Sequence, residues 1–205
     1  MTTDPVPAKR HALGLPAGSV RATHVLVIVG LVCAIILIPA SKTIPPYLFY
    51  LIFLMLGHYF AAHGVSIATR DDPAPSPWFL PGGTVRVVII LALIGCIGWR
   101  LYSDMDGLRD LFLRSMAHLS EQPYVPLAIF GGFVLGVIVR SIVRNNPPRA
   151  WQDVEAWFSL IALVGLTIAA LIHLVVEPST EQSLAIPTWD ACLGGVVAFY
   201  FGERS

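Results

Sequence analysis

From Ala156 to Val176 the chain runs for twenty-one residues without an Asp, Glu, Lys or Arg. A bilayer core about 30 Å thick is crossed by about 20 mostly apolar residues in a helix. That run therefore predicts a membrane span, and it is not isolated. Six candidate spans are read, at 23–40, 46–67, 84–102, 124–143, 156–176 and 184–202. The uncharged heart of the third, Val87 to Trp99, is short and bracketed by Arg86 and Arg100. Arginine stems can lie along an apolar helix while their heads reach the interfaces, so this span remains viable. Asp190 makes the sixth the weakest of the set.

Composition agrees. Of 205 residues, 56% are hydrophobic and 13% charged, with a mean hydropathy of +0.73. A soluble domain carries about 25% charged residues, so a soluble, disordered or collagen-like chain is excluded. Net charge is zero, which leaves no basic excess for nucleic acid. No gap between spans is long enough to hold a soluble domain. The expected architecture is an all-α, six-span bundle over residues 21–205, preceded by a disordered cytoplasmic tail over 1–20. The first span reads as a retained anchor. If a cut followed Ala40, Ile38 would occupy a position that signal cleavage reserves for a small residue.

Lysine and arginine are distributed unevenly between alternate loops. With the N-terminus inside, the inner set is Lys9, Arg10, Arg21, Arg70, Arg86, Arg140, Arg144, Arg149 and Arg204. The outer set is Lys42, Arg100, Arg109 and Arg114. The bias places both termini in the cytoplasm of a cell whose inner membrane holds the chain. The loop between the third and fourth spans carries Met105, Leu108, Phe112, Met116 and Leu119 at three- and four-residue spacing. That is one face of a helix, expected over about 105–119 and lying on the outer surface. Residues 66–73 resemble 141–147, each with an arginine, a proline and a following tryptophan (Trp78 and Trp151). A duplication of spans two and three as spans four and five would produce this, and so would ordinary helix-end chemistry.

Ionisable groups inside spans are functional candidates by default. His58 and His63 are five residues apart, about 140° around a helix, and so do not share a face for metal binding. His173 and Glu177 are four apart and do share one. Asp190 follows Pro187, Thr188 and Trp189 at the start of the last span, where a carboxylate suits the helix N-terminus. His173, Glu177 and Asp190 together form the one constellation that could bind an ion or proton, at the outer side. Glycines at 132, 136, 194 and 195 mark close helix packing, the first two as Gly-x-x-x-Gly.

The three cysteines, at 33, 96 and 192, lie in apolar runs with no disulfide or zinc spacing. No hydrolase elbow, zinc-protease motif, phosphate loop or dinucleotide fingerprint occurs, and neither a metal nor a cofactor is expected. The ending Phe199–Ser205 resembles the last helix of some small holin-like bacterial membrane proteins, over too short a stretch to imply function. The sequence thus points to a non-enzymatic multi-pass protein. Its role is read as a membrane scaffold or accessory subunit meeting lipid and its own copies or a membrane partner. A small channel or transporter is the alternative.

Overall fold

The computed structural model describes residues 18–38, 43–64, 83–142, 149–176 and 187–203. Among them every regular element is a helix: α1 Ser19–Leu37, α2 Pro46–Gly64, α3 Thr84–Ser103, α4 Met105–Glu121, α5 Tyr124–Ile142, α6 Arg149–Leu171 and α7 Pro187–Glu203. The last turn of α6 widens into a π-helical segment, Ile172–Val176. Four helical stretches are long and apolar enough to cross a membrane: α1, α3, α5 and Asp153–Val175 of α6. Their outward faces carry Leu91, Ile94, Leu127, Phe158 and Ile161, all exposed. An apolar surface of that extent suits a membrane.

Three boundaries differ from the sequence expectation. The first helix starts at Ser19, not Thr23, and Ser19 and Val20 are buried, so they do not belong to a disordered tail. Gly18 launches the helix from a left-handed φ of 83°, a conformation glycine adopts without strain. The sixth helix starts at Arg149, not Ala156, because helix propensity carries through Gln152, Asp153 and Glu155, where hydropathy stops. The last helix starts at Pro187, a residue pre-set for the first helical position. Residues 1–17, Glu177 and the similar segments around Arg70 and Arg144 lie outside the described residues.

Helix directions follow from cross-helix contacts. Arg21 of α1 meets His58 of α2, and His24 of α1 meets Ser159 early in α6 and Tyr200 late in α7. This is the Arg21 end. At the opposite, α4 end, His173 meets Thr43 and Ser115 meets Ile44. The helix α1 is apolar on all sides and is the most buried of the spanning set; it packs on α2, α3 and α6. Its Cys33 lies beside Cys96 of α3, an approach that sequence spacing gave no reason to expect.

The connecting helix α4 is held by its own ends and one hydroxyl. Asp104 accepts a bond from Gly107 N–H at 2.8 Å and pairs with Arg100 at 2.9 Å, an N-cap on α4. Its buried face is Leu108, Leu111 and Ser115, whereas Met105 and Met116 are 67% and 57% exposed. The expected apolar stripe is therefore turned, because Ser115 occupies its centre. That hydroxyl donates to Leu111 O at 2.7 Å and accepts from Ile44 N–H at 2.8 Å. Ile44 is the last residue before α2 with an N–H to satisfy, since Pro45 and Pro46 have none.

The closest helix contact is α5 against α7, which run parallel. A Cβ on Gly132 would strike the carbonyl of Gly195, and one on Gly202 the carbonyl of Phe133. A Cβ on Gly136 would strike Phe199 O and lie 2.7 Å from Glu203 N, and one on Gly195 would lie 2.9 Å from Ala128 O. A Cβ on Gly194 would lie 3.3 Å from the Ile129 side chain. Gly131 on the same helix faces open space. Gly136→Leu is therefore expected to lower stability by about 3 kcal/mol, while Gly131→Leu leaves it unchanged or raises it. Thermal unfolding and monodispersity in detergent check this; equal behaviour of the two variants would contradict the α5–α7 contact.

Candidate functional site

In an apolar bundle the informative groups are the buried polar ones. Among the described residues these are Ser19, His24, Ser115, Glu155, Ser159 and Glu203. All but Ser115 lie at the Arg21 end, contributed by α1, α6 and α7. His24 stands at their centre, fully buried. Its Nδ1–H donates to Val20 O at 2.8 Å, one turn back on its own helix. Its Nε2 meets the Ser159 hydroxyl at 2.7 Å and lies 3.1 Å from the Ser159 carbonyl. With the proton on Nδ1, Nε2 accepts from the hydroxyl. Both ring nitrogens are thereby satisfied without water.

Aromatic rings close around the imidazole. Tyr200 stacks on it at 5.5 Å with 22° between planes, and Phe201 meets its edge at 6.1 Å. Phe201 also packs edge-to-face on His58 at 5.7 Å. The His58 Nε2 accepts from the Arg21 guanidinium at 3.5 Å. Glu155 and Ser159, four residues apart, share a face of α6; the Glu155 side is 7% exposed, as is Glu203 at the end of α7. The arrangement ties four helices together by side chains. His24 and Ser159 point at one another and at backbone, and the Glu155 carboxylate is buried one turn from Ser159.

The residues singled out from sequence fall elsewhere. His173 sits in the π-helical turn and donates from Nε2 to Thr43 O at 3.1 Å. A π turn displaces a helix from its regular register, and this one carries the histidine onto the segment before α2. Asp190 is half-buried in the first turn of α7, where its charge suits the helix dipole. Glu177 lies outside the described residues, as does the side chain of His63. The sequence reading passed over His24, Glu155 and Ser159. The residue type at 24 was the available signal: a histidine one position inside an apolar run.

No family model matches the chain, and no curated protein or solved structure matches it.

His24→Ala removes both bonds and the stacked ring, and a loss of about 2–4 kcal/mol is expected. Ser159→Ala removes one interhelical bond, for about 1 kcal/mol. Asp190→Asn keeps the shape and loses only a charge near a helix end, for less than about 1 kcal/mol. Unfolding in detergent ranks the three, and a reversed order would contradict these assignments.

Proposed function

We propose that the protein is a non-enzymatic, multi-pass membrane scaffold or accessory subunit. The observation that carries this reading is the middle of the bundle. Ile28 of α1, Leu51 and Met55 of α2, Ile129 of α5, Leu166 of α6 and Val197 of α7 are all fully buried. Transport sites are built near mid-depth from polar groups and interrupted helices. Here that depth is filled by interdigitated aliphatic side chains, with the fully buried polar side chains among the described residues gathered toward the two ends.

The same reading takes six spans, adding α2 and α7 to the four helices above, and puts both termini in the cytoplasm of a cell's inner membrane. The 17 residues of α7 reach about 25 Å, short of the usual core, and its glycine contact with α5 supports it inside the bundle. The outward faces of α3 and α5 then meet lipid, a second copy or a membrane partner. The helix α4 lies at the outer surface, with Met105, Leu113 and Met116 beside its bundle-facing stripe.

A flux assay tests the reading. The purified chain, shown to be folded, goes into proteoliposomes with a pH-sensitive dye and a panel of cations. No flux above empty vesicles is expected. Flux that disappears in Asp190→Asn would overturn the scaffold reading in favour of a channel or transporter. It would also assign the site to the His173, Glu177 and Asp190 side. A C-terminal reporter active only in the cytoplasm is expected to give signal; silence would reverse the orientation.

A further inference from the structure

A cavity of about 310 Å³ opens on the flank of the bundle between α6 and α7. Trp151, Val154 and Phe158 form one wall, and Val196, Phe199 and Tyr200 the other. Glu155 and Ser159 lie at its back. They do not make it polar: both Glu155 carboxylate oxygens are buried, and the Ser159 hydroxyl is on His24. What a ligand would touch is hydrocarbon and aromatic ring.

The mouth lies on the face of α6 that is turned outward. Phe158 is 65% exposed and Trp151 44%, and Ile161 continues the same outward surface. From Trp151 to Phe158 the wall rises about 10 Å along the helix. Trp151, close to the start of α6, stands where tryptophan favours the headgroup level. The slot therefore descends from the interface at the Arg21 end into the hydrocarbon. Water entering it would find no polar partners. Left empty, its walls would lose dispersion contacts on one side. With α6 across a bilayer, hydrocarbon would reach the mouth, and the apolar lining would not bar its entry.

We propose that this slot holds one acyl chain of a phospholipid from the leaflet at the Arg21 end. The lipid is a resident one and completes the α6–α7 wall. It differs from the lipid along α3 and α5 because it has protein on both sides, and dispersion contacts accumulate with the number of neighbouring atoms.

The test uses the full chain in phosphatidylcholine vesicles doped with a phosphatidylcholine carrying a photoreactive diazirine on one acyl chain. After illumination, adducts are mapped by mass spectrometry. Labelling at Phe158, Val196 and Phe199 is expected several-fold above that at Leu91, Ile94 and Leu127 on the outer faces. Val196→Trp fills the slot from within and should bring its labelling down to the level of those faces, with the unfolding curve unchanged. Should that variant fail to fold, Val154→Phe blocks the mouth from a half-exposed position and must give the same drop. Equal labelling of slot and outer faces, or slot labelling that a folded variant leaves intact, overturns the proposal.

Discussion

The backbone-to-backbone approach of α5 and α7 is the contact on which the other arrangements rest. Lipid tails are as apolar as leucine, so two helices in a bilayer gain nothing by hiding apolar surface from solvent; they gain by packing area and by interhelical bonds. Gly132, Gly136, Gly195 and Gly202 let carbonyls of one helix touch the other. A short helix without that contact would have little holding it among longer ones. Once α7 is fixed on α5, its remaining faces are assigned. Leu193 reaches Gly165 of α6, and Tyr200 and Phe201 reach the histidines of α1 and α2. The polar end of the bundle is thus positioned by a contact that contains no polar side chain.

Hydrocarbon sets a rule for polar groups: one left unsatisfied costs several kcal/mol. His24 meets the rule with a carbonyl on its own helix and a hydroxyl on α6. Thr23 and Thr167 meet it by bonding back to the carbonyl four residues earlier. Toward mid-depth on α1, Ile28 is fully buried, and the aliphatic layer takes over. The polar groups join helices at one level; they do not form a line across the membrane.

Much of the helix order was legible from apolar run length alone, since each run is bounded by charge, proline or glycine. The glycines at 132, 136, 194 and 195 were legible too, because close packing has a spacing. Gly202 and Gly165 have no such spacing, and their contacts exist only once the helices are placed. Boundaries failed where hydropathy and helix propensity part company: Glu155 ends an apolar run but not a helix. His24 was overlooked because it stands one residue inside the expected span, where a histidine looks like an edge residue. Its meaning comes from Ser159, 135 positions away. The same distance problem hid the Cys33–Cys96 approach. On α4 the hydrophobic pattern misplaced the buried face because a serine, not an apolar residue, makes the central contact.

The α4 end bears on whether such a bundle could open. The segment before α2 is held from two directions: His173 of the π turn donates to Thr43 O, and Ser115 of α4 accepts from Ile44 N–H. Alternating access requires one end of a bundle to part while the other closes. Parting here would break both bonds and strand backbone groups that Pro45 and Pro46 cannot help satisfy. Each bond contributes only about 1 kcal/mol in net terms, so the clamp by itself could yield to a ligand. Beneath it lie Leu48, Leu51 and Met55, fully buried, and these would have to separate as well. Exposing or voiding that layer adds a cavity penalty of several kcal/mol. A solute would have to supply the difference through contacts with polar groups at that depth, and the layer offers none. Resistance to opening therefore resides less in the hydrogen-bonded ends than in the aliphatic layer between them.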